Sequence, residues 1–237
     1  MAQLKITLTD PRPGDFLYKE ALKTLRANLQ FSGKNNKVIL VTSCLENEGK
    51  SDISFHLAVE LANAGKRVLL IDSDMRRSVY VRKYGIEGQT NGLSQYLSGQ
   101  IEDISSVVYR TNYPGMHMIL AGPSAPNPSE LLGDKSFEHL IMGARNTYEY
   151  VIIDTAPLGT IIDAAVVGQS CDGAVLVIEN GAISYRLAQR VKQQLAASGC
   201  KVLGAVLNKV NIAGGRYGKY GYGKYGYGYG YDYSEEE

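Results

Sequence analysis

The sequence predicts an α/β fold: a mostly parallel sheet flanked by helices on both faces, with a flexible Tyr/Gly-rich C-terminal tail. Three observations predict it. Short, nearly all-apolar runs alternate with helical patterns, as strands buried on both faces require. The string Glu48-Gly49-Lys50-Ser51 stands where the first such run hands over to a helix. The last 21 residues carry eight tyrosines, interleaved with glycine, that no packing argument asks for.

Residues 1 to 16 read as a loose segment, with Pro11 and Pro13 close together. A helix follows, its Leu22, Leu25 and Leu29 recurring at helical spacing. Lys37 to Thr42 is the first strand, and a helix from Lys50 to Ala64 is stopped by Gly65. Residues 67–74 form the second strand, and 92–97 a short helix. Residues 116–122 are the third strand, 129–146 a single helix, and 150–157 the fourth strand. Residues 173–180 and 201–208 are the fifth and sixth, with a helix near 184–198 between them. The domain division is therefore 1–16, a core of 17–212 and a tail of 213–237.

Composition narrows the function. A formal net charge of +1 gives no field to attract nucleic acid or acidic lipid. Three cysteines without a CxxC pair fit a reducing, cytoplasmic setting better than a disulfide framework. No secretion signal or run of about 20 apolar residues is apparent, so membrane association is expected to come through a partner. His56, His117 and His139 form no metal-ligand pattern, and Cys44 has no neighbour to activate it.

The chemistry is written around Lys50. Backbone N–H groups at a helix N-terminus cradle phosphate oxygens. A lysine there reaches the β- and γ-phosphates, and a serine hydroxyl ligates Mg²⁺. The full GxxxxGK[ST] pattern wants glycine where this chain has Cys44. Asp72 and Asp74 end the second strand and Asp154 the fourth. Carboxylates at the C-terminal ends of parallel strands face the crevice where such sheets bind ligands. Each alone is more simply an N-cap or turn residue; the three together after a GKS string indicate a P-loop NTPase-like site for ATP and Mg²⁺.

The segments VTSCLENEGKS, VLLIDSDMRRS and YVIIDTAPLG resemble the Walker A, A′ and B motifs of bacterial tyrosine kinases, in particular their stand-alone capsule-type (CpsD/CapB-like) group. GLSQYL, PNPSELL and the LNKV strand end are also similar, and the resemblance spans residues 17–237. It implies an ATP-dependent tyrosine autokinase acting in capsular or extracellular polysaccharide synthesis and export. By this resemblance Lys50 and Asp72 are catalytic, with Asp74 in support. Glu48, Gly49, Lys50, Ser51 and Asp52 bind ATP; Ser51, Asp72 and Asp154 hold the metal. Asn208 is either an adenine contact or a turn residue. Arg76 and Arg77 face phosphate or a neighbouring subunit, or are simply solvated. The acceptors are Tyr217, Tyr220, Tyr222, Tyr225, Tyr227, Tyr229, Tyr231 and Tyr233.

The family's Glu-x-x-Arg-x-x-Arg subunit motif falls on Glu20, Lys23 and Arg26, which share one helical face. Lysine cannot make arginine's bidentate fork, which weakens the implied ring. The resemblance further implies a homo-oligomer, a membrane-anchored activator or polysaccharide co-polymerase acting through its cytoplasmic segment, and a cognate tyrosine phosphatase. The chain would thus be recruited to the inner face of the membrane.

Near the phosphates the chain departs from the family. Glu46-Asn47 replaces Pro-Gly, and asparagine tolerates the positive φ needed there. Asp52 replaces a threonine, adding negative charge and removing a donor, so ATP affinity is expected to fall. Two other readings stand beside the autokinase. One is a ParA/MinD-like ATPase, although residues 43–48 lack that group's early second lysine. The other is a non-catalytic regulator whose tail is a self-association strip.

Overall fold

The computed structural model describes residues 4–11, 16–88 and 90–210. The tail tyrosines lie outside the described residues. Seven strands form one sheet: β1 (Val38–Ser43), β2 (Val68–Asp72), β3 (Val108–Arg110), β4 (Met116–Ile119), β5 (Tyr150–Asp154), β6 (Gly173–Glu179) and β7 (Val202–Asn208). The order is β3-β4-β2-β5-β1-β6-β7. All neighbours are parallel except β3 on β4, which is antiparallel.

The central strands are mostly apolar, with polar residues gathered at their carboxyl ends, because both sheet faces are covered. Ile39, Val41, Leu70 and Ile152 point into one core, with Leu22 and Leu29 of α1 (Phe16–Phe31) and Ile53, Leu57 and Leu61 of α2 (Lys50–Asn63). Leu40, Ile71, Val151 and Ile153 point into the other. That core takes Leu93 of α4 (Leu93–Leu97) and Leu132 of α5 (Pro128–Gly133). It also takes Phe137 of α6 (Lys135–Thr147), Val167 of α7 (Asp163–Gly168) and Val191 of α8 (Tyr185–Ala197). A four-residue helix, α3 (Tyr80–Lys83), lies between β2 and α4.

Three sequence expectations need correction. The segment expected to be loose is anchored over residues 4–9: Ile6 and Leu8 are buried, Ile6 N–H donates to Arg110 O at 3.0 Å, and Thr9 N–H to Tyr84 O at 2.9 Å. The single helix expected over 129–146 is two helices. Asp134 takes extended backbone and its carboxylate accepts from Ser136 N–H at 2.8 Å, capping α6 and ending continuity with α5. The sheet has a seventh strand, β3, that the sequence reading omitted. Among the described residues, no helix is long and apolar enough to cross a membrane.

Candidate nucleotide and phosphoryl-transfer site

The site lies at the carboxyl ends of β1, β2 and β5, beside the N-terminus of α2. The loop from Cys44 to Gly49 makes its turn with Asn47 at φ 63° and Gly49 at φ 95°. Asparagine therefore does adopt the left-handed backbone expected of it. Gly49 is required sterically as well, since a Cβ there would lie 2.1 Å from Asn208 Nδ2. Side chains close the loop from within. The buried Glu48 carboxylate accepts from Leu45 N–H at 2.7 Å and Glu179 N–H at 3.2 Å. Glu46 pairs with Arg77. From β7, Asn208 Nδ2 donates to Glu48 O at 2.9 Å, and Lys209 Nζ reaches Asn47 O at 2.7 Å.

Three carboxylates face Lys50. Parallel pairing of β2 with β5 sets Asp72 directly beside Asp154, about one strand spacing (~4.8 Å) apart in backbone. Both are essentially buried. Burial, with Asp154 alongside, pushes Asp72 up to about 8, although the Ser78 hydroxyl donates to it. Burial likewise raises Asp154, against the opposing pull of Lys50. For Lys50 itself, burial favours the neutral amine, but Asp154, Asp74 and Asp72 outweigh it and hold the ammonium above its ordinary range. Lys50 Nζ lies 3.3 Å from both Asp74 Oδ2 and Ser51 Oγ. Asp74 N–H donates to Asp72 Oδ1 at 3.1 Å, fixing the two carboxylates relative to each other.

These groups suit a hard cation. Asp154 Oδ1 accepts from Ser54 Oγ at 3.1 Å, while the buried Oδ2 has no hydrogen-bond partner among the described residues. An orphaned buried carboxylate oxygen is costly unless a cation or its water completes it. Among the described residues no three His, Cys, Asp or Glu side chains form a ready-made metal cage.

The structure brings together Glu48, Gly49, Lys50, Ser51, Asp72, Asp74, Asp154 and, through the loop, Asn208. Asp52 is adjacent, but its carboxylate is engaged by Lys83 and Tyr84. Arg76 is not simply solvated: it forks onto the buried Asp163, Nε at 2.9 Å and Nη2 at 3.3 Å. Cys44 is buried in the loop with its thiol pushed up to about 11, by desolvation and then Glu48, which keeps it unreactive. His56 bonds Asp52 O at 2.8 Å and Asp10 at 3.2 Å, a structural role. Glu20 and Lys23 pair with each other at 2.7 Å on α1.

Sequence reasoning missed the supports. Ser54 and Ser78 hold the carboxylates, and the Tyr80 hydroxyl donates to Ser51 O at 3.1 Å. Ser54 sits one turn after Lys50 on α2, a spacing that could have flagged it. Nothing local marks Tyr80.

Comparison with known proteins decides among the P-loop groups. A family model described as "AAA domain" matches residues 36–195. Tyrosine-protein kinase CpsD of Streptococcus agalactiae is 43% identical over 207 residues, covering 87% of this chain and 90% of that protein. The chain belongs to the CpsD-like bacterial tyrosine kinases. The solved structure of the kinase domain of Escherichia coli tyrosine kinase ETK superposes with TM-score 0.79 at 28% identity, covering 96% of this chain and 94% of that one. MinD of Pyrococcus horikoshii, complexed with Mg-ADP, has TM-score 0.63 at 20% identity over 72% of this chain and 69% of its own. That likeness is one of fold alone. The chain is thus a protein-tyrosine kinase.

Proposed function

We propose that this kinase transfers the γ-phosphoryl group of ATP to its own C-terminal tyrosines, Tyr217 to Tyr233, with the tail of one subunit serving the site of another. The observation that carries this reading is the Asp72–Asp154 pair beside Lys50 at the mouth of the phosphate loop. The α2 N–H groups and Lys50 hold the β- and γ-phosphates, and Lys50 follows the charge that develops on the transferred group. Mg²⁺ would be held by Ser51 and Asp72, with Asp154 supporting it or its waters, and supplies neutralisation of the phosphate oxygens. A tyrosine hydroxyl, with an ordinary pKa near 10, gives its proton to Asp72 as it attacks. Only the ionised carboxylate can accept that proton, and a cation beside Asp72 would favour that form. Asp74 holds Lys50 and Asp72 in register. Asn208 braces the loop and stands where an adenine ring could meet the end of β7.

The setting proposed for this activity is control of capsular or extracellular polysaccharide synthesis and export. A membrane-anchored activator would bring the kinase to the inner face of the membrane, and a phosphatase would reset it. Glu20, Lys23 and Arg26 would contact a neighbouring subunit. Clustering acceptors on one tail raises their local concentration. Each added phosphate brings about −1.5 to −2 charges, so an extensively modified tail repels itself.

Intact mass spectrometry after incubation with Mg-ATP tests this reading, with Lys50→Met as control and an activator segment supplied in parallel. A ladder of phosphate additions mapping to residues 217–233 and absent in the control is expected. No additions under either condition would refute the autokinase.

A further inference from the structure

Asp52 directly follows Ser51, in the first turn of α2. It is 5% exposed. A carboxylate there places negative charge beside the phosphate cradle and offers no donor to a phosphate oxygen. The structure answers this charge from α3. Lys83 Nζ pairs with Asp52 Oδ1. The Tyr84 hydroxyl donates to the same oxygen at 3.1 Å. Burial, with Asp52 beside it, holds the Tyr84 phenol far above its ordinary range, so it remains a donor. Tyr80, one turn earlier and stacked on Tyr84 with ring centroids 5.5 Å apart, grips Ser51 O. The short helix α3 is therefore clamped onto the first turn of α2, and it delivers a cation there. The Lys83 side chain keeps 34% of its surface exposed, so the ammonium is not sealed into the core.

We infer that Asp52 and Lys83 work as a matched pair in nucleotide binding: Lys83 is a positioning residue that offsets the Asp52 charge, and its loss leaves Asp52 more repulsive toward the phosphates. A hydroxyl residue at position 52 would carry no charge and need no such partner. The inference rests on the reading of Lys50 and Ser51 as the ATP site.

The test is a double-mutant cycle in the full chain, with Mg-ATP analogue affinity measured by calorimetry and kinase kinetics alongside. Lys83→Met is expected to weaken nucleotide binding about tenfold, roughly 1.4 kcal/mol. The rise should appear in KM for ATP more than in kcat. Lys83→Arg should restore it. Asp52→Thr combined with Lys83→Met should bind within about twofold of Asp52→Thr alone, because the charge needing cancellation is gone. Unchanged affinity in Lys83→Met, or strictly additive effects of the two changes, overturns the inference. Should Lys83→Met fold poorly, the double variant against Asp52→Thr still decides it, and a tenfold loss between those two refutes the pairing. Binding by wild type that Lys50→Met abolishes, with Lys83→Met indifferent, sinks the pairing alone. Absent binding in wild type sinks the ATP-site reading instead.

Discussion

Replacing Asp72 with asparagine should change how stability depends on pH, before any catalysis is considered. Asp72 is pushed up to about 8 in the folded protein, whereas an unfolded aspartate titrates near 3.9. Between those values the folded state binds more protons than the unfolded one, so stability falls as pH rises. The favourable contribution is fully present below about pH 4 and is lost as pH passes through 8. One fully linked proton gives a slope of about 1.4 kcal/mol per unit, or roughly 3–4 kcal/mol between pH 5 and 8. Asparagine cannot ionise, so its curve should be flatter over that window and cross above wild type on the alkaline side. His117, lowered chiefly by burial, pulls the other way in acid, but it is common to both proteins and cancels in the difference. Urea midpoints in chelator at pH 5, 6, 7 and 8 measure the two slopes. Parallel curves for wild type and Asp72→Asn would refute the claim that Asp154 and burial load this carboxylate.

Two further substitutions probe the frame of the site. Gly49→Ala forces a side chain into a φ of 95° and against Asn208; nucleotide affinity should fall more than tenfold, and near-wild-type binding by calorimetry would show the loop yields easily. Arg76→Ala leaves the buried Asp163 carboxylate without its fork and should cost about 1–3 kcal/mol in urea denaturation, tempered by the partial exposure of Arg76.

The parts of this site that were legible in the sequence are those that a strand or helix terminus fixes. Asp72 and Asp154 each follow an apolar run, and parallel pairing of those runs brings them side by side. Lys50 and Ser51 open a helix, and that alone aims them. The supports were not legible, because they depend on which distant segments meet. Tyr80 and Lys83 lie in a helix of four residues that Tyr84 caps at its C-terminus, too short for a periodic signal. β3 has three residues and reads as loop. Two signals were present and outweighed. Leu4, Ile6 and Leu8 alternate as an edge-pairing segment does, but the nearby prolines drew the reading toward a loose segment. Gly133-Asp134-Lys135-Ser136 is a helix stop followed by an N-cap, hidden inside a continuous apolar periodicity.

The phosphate loop itself explains how the chain tolerates its departures. A loop without Pro-Gly needs its shape imposed, and each departing residue has a partner that imposes it. Asn47 takes the left-handed turn, and Lys209 holds its carbonyl while also pairing with Glu179 at 2.8 Å. Glu46 is tied to Arg77 in the segment after β2, and Asp52 to Lys83 beyond it. The loop is thus gripped from two sides: by the segment that follows Asp72 and carries Asp74 and Arg77, and by the end of β7, which precedes the tyrosine-bearing tail. A change at either should be felt at Lys50 through Asn47, Glu48 and Gly49. Lys209→Met, which frees Asn47 O without touching any residue of the carboxylate cluster, should therefore weaken nucleotide binding severalfold while leaving the Asp72-dependent pH slope of stability intact. Loss of that slope together with affinity would show instead that the β7 contact holds up the whole site and not the loop alone.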